Sequence, residues 1–581
     1  MTARETDCAS NLIAAGEHAR AIATLRTALR RDPADADALS LLTTACLRAG
    51  DAAGAEGSAQ RLVQLMPDDF RAWHNLGNTL LHFGRVSDAE DPLLRARGMA
   101  PRDPNVLIAL SNLYASTDCW SQSQEVCREG LAVTPDDSRL LANLAVALHG
   151  AGRIDEAFPL ILQACRQSPG RLDHADAAAA MSTYSPGVGA EESFRLHCRY
   201  GEMLEAATAV MAPLGGHARP GPVTVGVVSP DLRDHAVANF IRPVVEHADP
   251  EKVRFIAYSL AVREDTVSAS LKPLFDAWRH VPFAPHAEVA QRVRSDGVDV
   301  LLDLAGHTRG HRLPVFAMRP ARAHATWMGY PNTTGLTRMD ARISDGIADP
   351  SETATFNCER LVHVGPCLVA FARVREPATA ERGSDAPIRF VSFSSLLKVN
   401  DALIRQWAAV MHQVPGSILT LKHHAIADSG VRANIAARFE AAGLSPDRVR
   451  PDLPAKNSAG VLPEYDDADI ALDTFPYAGT TTTCEALSMG VPVVTRTGET
   501  SASRVGRSLL EAVGLGELVA ASEREFVEIA AGLALDRPRL RSVRARVRES
   551  YRTSVLADAS GFGRRMADVL VSISKNDHPE R

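Results

Sequence analysis

The stretch Asp469-Ile-Ala-Leu-Asp-Thr-Phe-Pro-Tyr-Ala-Gly-Thr-Thr-Thr-Thr-Cys-Glu-Ala-Leu-Ser-Met-Gly490, followed by Val491-Pro-Val-Val-Thr495, reads as strand, turn, helix and strand. An apolar run at 469–473 is broken by Pro476 and Gly479. Thr480, Thr481, Thr482 and Thr483 then open a helix that Gly490 closes, with Pro492 just beyond. The helix start is a candidate anion site. Its first backbone N–H groups have no partner within the helix and its dipole is positive there, so a phosphate is stabilised without a lysine. A second reading of the same residues is structural: Thr482 and Glu485 fit a capping box, S/T-x-x-E.

The pattern continues on the N-terminal side. Residues 389–393 predict a strand, 394–400 a loop, 401–413 an amphipathic helix with Leu403, Trp407, Ala408 and Met411 on one face, and 417–422 the next strand. Lys398 falls at a strand's carboxyl end, within reach of an anion held by the threonines; a solvated surface lysine is the plain alternative. A polar, proline-containing stretch at 375–387 precedes this half. Before it, 223–229, 254–259 and 298–303 read as strands, with helices starting at 236 and near 286–296. Such alternation implies a parallel sheet covered on both faces, with ligands beyond the carboxyl ends of the strands. Those ends carry Asp231, His235, Gly306-His307-Thr308 and Gly329-Tyr-Pro-Asn-Thr-Thr-Gly335, each of which could also be a cap, a loop residue or a turn.

The first 170 residues have a different period. Pro33, Pro67, Pro101, Pro135 and Pro169 are each 34 residues apart, as are Gly16, Gly50, Gly84, Asp118 and Gly152 at the expected turns. Ala21, Ala55, Ala89, Ser123 and Ala157 follow five residues later, and Leu42, Leu76, Leu110 and Leu144 mark the first helices of the later units. This helix–turn–helix pattern resembles the tetratricopeptide repeat, whose stacked units form a superhelix able to hold an extended peptide. The array alone would suit a non-catalytic scaffold that binds a partner protein. Residues 171–220 change character, with alanines at 175–180, a helical stretch at 191–210 and a Pro/Gly linker at 213–222.

The totals narrow the classes. The chain has 581 residues, 63 Lys+Arg against 70 Asp+Glu and a formal charge of −7, so no global field draws it to nucleic acid or an anionic membrane. It has no signal-like start and no apolar run near the ~20 residues that cross a bilayer, which predicts a cytoplasmic protein. Nine cysteines without a C-x-x-C pair suggest free thiols. The histidines lack the spacing of a metal site, so metal catalysis is not supported.

Taken together, residues 228–235, 329–335 with Asp340, 393–398, 472–482 and 498–504 resemble the O-linked N-acetylglucosamine transferases and their relatives, glycosyltransferase family 41, over essentially the whole chain. The resemblance implies a multidomain fold, an all-α tetratricopeptide superhelix followed by an α/β GT-B-type pair of Rossmann-like domains. The expected divisions are repeats at 1–170, a helical connector at 171–220, the two α/β halves at 221–380 and 386–565, and a tail at 566–581. It also implies an inverting transfer of sugar from a nucleotide diphosphate to Ser or Thr of a protein held by the repeats, without metal or other cofactor.

Carried over position by position, Lys398 would stabilise the leaving diphosphate, and Thr481 and Thr482 would form the phosphate-binding helix start, with Gly479 and Thr480 beside them in the donor-binding set. Glu485 would bind ribose. His235 would lie near sugar and phosphates, Met328, Gly329 and Pro331 would line the sugar site, and Asp231 would be a candidate base. His307 and Ser395 complete the expected donor-binding set. Departures leave the donor open. Thr480, Ser395 and Val461 stand where the O-GlcNAc branch has histidine, glutamine and histidine, and a further branch histidine falls near Ala178. Residues 475–485 and 306–308 look like the SPINDLY-type branch, which uses GDP-fucose, whereas 498–504 look like the UDP-GlcNAc branch. Oligomeric state stays open as well.

Overall fold

Ten helices fill the repeat region of the computed structural model, which describes residues 3–214, 221–372, 386–455 and 460–575. They pair as α1 (Ala3–Ala14) with α2 (His18–Arg31), α3 (Ala36–Ala49) with α4 (Ala52–Leu65), α5 (Phe70–His82) with α6 (Val86–Met99), α7 (Pro104–Ser116) with α8 (Trp120–Val133), and α9 (Ser138–Gly150) with α10 (Ile154–Gln167). The period has a physical basis at each turn. Gly16, Gly50, Gly84, Asp118 and Gly152 all have left-handed backbone, φ between 57° and 78°. Ala21, Ala55, Ala89, Ser123 and Ala157 are fully buried where paired helices meet. Asp35, Asp69, Asp103 and Asp137 cap α3, α5, α7 and α9 through their carboxylates, each worth ~1 kcal/mol.

The connector holds α11 (Leu172–Ser182) and α12 (Ala190–Ala207), the latter shorter than the 191–210 read from sequence. Beyond it, β1 (Val223–Ser229), β2 (Val253–Ser259), β3 (Ala277–His280), β4 (Val300–Asp303), β5 (Ala323–Trp327), β6 (Ala341–Ser344) and β7 (Arg360–His363) form one parallel sheet ordered β3-β2-β1-β4-β5-β6-β7. Its helices are α13 (Ala236–His247), α14 (Thr266–Leu271), α15 (His286–Ser295) and α16 (Leu313–Ala317).

A second parallel sheet is built from β8 (Arg389–Ser392), β9 (Ile418–Lys422), β10 (Val449–Asp452), β11 (Ile470–Leu472), β12 (Val493–Arg496) and β13 (Val519–Ala520), ordered β10-β9-β8-β11-β12-β13. With it go α17 (Asp401–Gln413), α18 (Ser429–Ala441), α19 (Thr481–Ser488), α20 (Ser501–Ala512), α21 (Glu523–Leu535) and α22 (Arg537–Thr553), while the last helix, α23 (Ala559–Ser574), crosses back to the first sheet. The expected fold class is therefore observed: a helical repeat array followed by two parallel α/β halves.

Three features correct the sequence reading. Strands β3 and β7 escaped it because they are short edge strands that are mostly half-exposed, without an apolar run. β5 escaped it because His324 interrupts a strand that is wholly buried. The stretch read as a tail from 566 is helical to Ser574: Met566, Ala567, Leu570 and Ile573 are buried, α23 packs on α13, and Phe562 stacks 5.9 Å from Trp327. The C-terminal helix thus belongs to the core of the first half. Most of the proline-containing stretch at 375–387 and of the linker at 213–222 lies outside the described residues. Among the described residues, no helix is long and apolar enough to cross a membrane.

The two halves are latched by buried polar groups. Arg342 pairs with Asp349 at 2.8 Å and donates to Ser501 Oγ at 2.8 Å, while Arg504 donates to the Ile347 carbonyl and Ser508 to Asp345. The 498–504 motif accordingly works at least in part as an interlobe contact. The repeat turns seat along both halves. Gly50 abuts the Phe283 carbonyl and Gly84 the Val262 side chain in the first half; Ser121 bonds Asp428 and Gly152 abuts the Leu396 carbonyl in the second.

Candidate functional site

In each sheet the strand order reverses direction at one place, between β1 and β4 in the first and between β8 and β11 in the second. Connections leave such a point to opposite sides, opening a crevice at the carboxyl ends of the strands. The loops that line these two crevices carry nearly all the residues singled out above.

In the second half, β8 leads into Ser394, Ser395 and Lys398, and β11 leads into the 473–480 turn and α19. Asp473 organises that turn from below. Its Oδ1 accepts from the N–H groups of Thr474 at 2.8 Å and Gly479 at 2.7 Å, and its Oδ2 accepts from Thr495 Oγ1 at 2.6 Å. Burial pushes the Asp473 carboxyl up, against those hydrogen bonds and the charge of Lys398. The Lys398 ammonium donates to the Ala478 carbonyl at 2.9 Å and lies 3.8 Å above the Tyr477 ring. Burial pushes it down to about 8, with Asp473 opposing. Lys398 is therefore not the solvated surface lysine of the plain alternative.

Helix α19 begins at Thr481, with Thr480 as its N-cap, and no side chain caps it. The expected Thr482–Glu485 capping box is therefore absent: Thr482 already lies inside the helix, its hydroxyl 3.2 Å from Ser394 Oγ, and Glu485 is buried one turn on. Tyr465 OH donates to the Thr482 carbonyl at 3.0 Å, fixing this first turn. An uncapped helix start beside a lysine is a ready anion cradle. Ser395 is held by His423 Nε2 at 3.2 Å and caps the short turn that carries Lys398.

In the first half, Asp231 follows β1 and is buried, with His235 Nδ1 3.7 Å from its Oδ2 and Arg233 beside it. His235 also caps α13, its Nδ1 accepting from Val237 N–H at 3.3 Å, and burial lowers its basicity despite Asp231. Met328 has φ of 39°, and Gly329 passes so close to the chain after β4 that a Cβ there would stand 1.8 Å from the Leu304 carbonyl. Only glycine fits that crossing. Tyr330 and Pro331 are buried beyond it.

His307 is placed differently from expectation. It was expected among the donor-binding residues, but its side chain is fully buried: Nδ1 donates to Asp176 at 2.6 Å and Nε2 to the Thr334 carbonyl at 3.0 Å. With both nitrogens engaged by protein, it anchors the 328–335 loop instead of facing the crevice. Asp176 also receives His311 at 3.1 Å; against burial, the His311 and His307 rings hold its carboxyl well below the usual carboxylate range. Glu359 holds the same loop through Thr333 and Thr334.

Sequence reasoning missed Asp176, Tyr184, Tyr330 and Tyr477. Asp176 left a signal, a single carboxylate among the alanines of 175–180. The others are tyrosines whose neighbours come from distant segments. Thr183 Oγ1 lies 2.7 Å from Tyr330 OH, and the Tyr184 ring lies 4.9 Å from Tyr477, so the connector spans from the first crevice to the second. Among the described residues, no hydrogen bond or ion pair joins Asp231 or His235 to Lys398 or the threonines, nor is any group of three or more His, Cys, Asp or Glu placed to hold a metal ion.

A family model described as glycosyl transferase family 41 matches residues 213–370 and 379–566. The chain belongs to glycosyl transferase family 41. A tetratricopeptide repeat model matches 9–69, 47–104 and 111–171 of this family-41 chain. Over 350 residues, 59% of its length, the chain is 36% identical to a protein of Arabidopsis thaliana named "Probable UDP-N-acetylglucosamine--peptide N-acetylglucosaminyltransferase SPINDLY", covering 38% of that protein. A second Arabidopsis relative, of the same name but ending in SEC, is 29% identical over 352 residues, covering 58% of this chain and 35% of that one. The chain thus spans well under half the length of these relatives. Among solved structures, a mutant of the Thermobaculum terrenum O-GlcNAc transferase matches with a TM-score of 0.77 and 27% identity, covering 94% of this chain and 98% of that one.

Proposed function

We propose that this family-41 chain is an inverting protein O-glycosyltransferase. It moves N-acetylglucosamine from UDP-GlcNAc to Ser or Thr hydroxyls of acceptors held by the repeat groove, in the cytoplasm and without metal. The observation that carries this reading is the pairing of Lys398 with the uncapped start of α19 at the strand-order switch of the second sheet. As the bond from the sugar to the diphosphate breaks, negative charge grows on the departing phosphate. An ammonium and helix amides already in place stabilise that charge and lower the barrier. The acceptor oxygen attacks the opposite face of the sugar carbon and its proton passes to a base. Asp231, beside His235, is the candidate, and Gly479, Thr480, Thr481, Thr482 and Glu485 are the donor-binding set.

A second reading keeps the chemistry and changes the donor to GDP-fucose; the 475–485 stretch with Thr480 favours it, through its resemblance to the SPINDLY-type branch. Thermal-shift titration with UDP, UDP-GlcNAc, GDP and GDP-fucose, followed by mass analysis of acceptor protein, separates the readings. A ligand at 100 times its dissociation constant adds about 2.7 kcal/mol. Stabilisation by the uridine pair with N-acetylhexosamine transfer supports the first reading, and the guanosine pair with deoxyhexose transfer the second. Response to neither class returns the chain to the scaffold reading.

A further inference from the structure

We propose that Tyr477, buttressed by Tyr184 and His149 from the repeat side, is the positioning residue that fixes the place and charge of the Lys398 ammonium. The inference deepens the function proposed above and rests on it for the role of Lys398. Lys398 is half-buried, yet among the described residues it forms no ion pair. Its near neighbours are the Ala478 carbonyl at 2.9 Å and the face of Tyr477, whose centroid lies 3.8 Å away. That distance is well inside the ~6 Å over which the negative face of an aromatic ring attracts a cation. Asp473 favours the ammonium through its charge but makes no contact ion pair with it, so the ring holds the ammonium without a salt bridge that a diphosphate would have to displace. The charge stays available to the leaving group.

The ring is itself held in place. Thr474 Oγ1 donates to the Tyr477 carbonyl at 2.7 Å, and Asn400 Nδ2 donates to the Phe475 carbonyl at 2.7 Å, fixing the backbone on either side of Pro476. The Tyr184 ring lies 4.9 Å from Tyr477 at 44°, and the His149 ring lies 4.6 Å from Tyr184 at 70°. These are the tilted and edge-on arrangements that aromatic quadrupoles favour. His149 sits in the last turn of α9, and burial pushes its basicity down to about 4, so no second cation competes with Lys398. The series His149, Tyr184, Tyr477, Lys398 runs from the last repeat to the second crevice.

The test reads Lys398 directly. Competitive acetylation with acetic anhydride across pH, followed by peptide mass analysis, gives the titration midpoint of Lys398 in the full-length protein and in Tyr477→Phe, Tyr477→Leu and Tyr184→Leu. Tyr477→Phe keeps an aromatic face and should titrate as the wild type does. Tyr477→Leu should shift the midpoint about one unit to lower pH, a ~10-fold change in protonation ratio. Tyr184→Leu should shift it less, in the same direction, and carries the test if Tyr477→Leu fails to fold by circular dichroism. With turnover, the basic limb of kcat/KM should move by the same amount in Tyr477→Leu. An unchanged midpoint in both leucine variants, or equal shifts for phenylalanine and leucine at 477, overturns the inference. Because acetylation needs no turnover, failure to transfer any sugar would overturn the proposed function alone.

Discussion

Gly152, in the turn of the last repeat, lies so close to the second α/β half that a Cβ on it would stand 2.9 Å from the carbonyl oxygen of Leu396, two residues before Lys398. Gly16 has the same left-handed backbone, φ 77° against 78°, but nothing within 4 Å of an added Cβ. Gly16→Ala should therefore cost only the backbone strain, about 1 kcal/mol. Gly152→Ala should cost about 2–4 kcal/mol, because the overlap with Leu396 adds to that strain, and should also lower transfer. Thermal unfolding of the two variants checks this; equal losses would mean that the repeat turns do not seat on the α/β halves.

Lys398→Ala should reduce turnover by ~10²–10³-fold, the usual effect of removing one preorganised group that stabilises developing charge. The unfolding midpoint should not fall, since the substitution removes a cation that burial already disfavours. Steady-state transfer assays and a melting curve test the pair of expectations. Lost activity with a collapsed midpoint would point to a structural lysine.

The pH profile follows from the same residue. Burial pushes the Lys398 ammonium down to about 8 in the free protein, and in the proposed mechanism only the charged form stabilises the leaving diphosphate. Transfer should therefore decline as pH rises through about 8 in kcat/KM, which reports the free enzyme. In kcat the limb should lie higher, because a bound anion favours the ammonium. A flat kcat/KM profile between pH 7 and 9 would contradict the assignment.

Asp473→Ala should destabilise the second half by about 2–4 kcal/mol. It leaves the amides of Thr474 and Gly479 and the hydroxyl of Thr495 without their shared acceptor inside the fold. Nucleotide affinity should weaken with it, since this turn sets the entry to α19. Melting curves with and without nucleotide measure both effects, and an unaltered midpoint would show that the turn holds itself.

Asp176→Ala should cost about 3 kcal/mol by removing the carboxylate shared by the buried rings of His307 and His311. Asp173→Ala, which breaks an ion pair exposed to water, should cost under ~1 kcal/mol. Because His307 anchors the 328–335 loop, donor KM should rise in the first variant and not in the second. The same KM in both would detach the loop from the donor site.

The sequence by itself determined the repeats, the helix with a strongly periodic face and the ends of the apolar strands. The repeats were legible because each 34-residue unit must satisfy the same turn and the same close helix contact, so Gly50, Gly84 and Ala55, Ala89 recur in register. Helix α17 was legible to the residue because its apolar face has helical spacing. Strand ends were legible too, which is why Lys398, Asp231 and the threonines could be singled out.

Only the tertiary structure decided what those residues touch. His307 looks in sequence like a polar residue of a crevice, but packing against α11 buries it. The capping box vanished because α19 starts one residue after Thr480, a choice made by Asp473 and Tyr465 from other strands and turns. The series from His149 to Lys398 draws on residues 149, 184, 398 and 477, which no local pattern connects. Contact between rings and charges far apart in the chain is fixed by how the layers stack, and stacking depends on the sum of all buried surfaces, not on any one stretch.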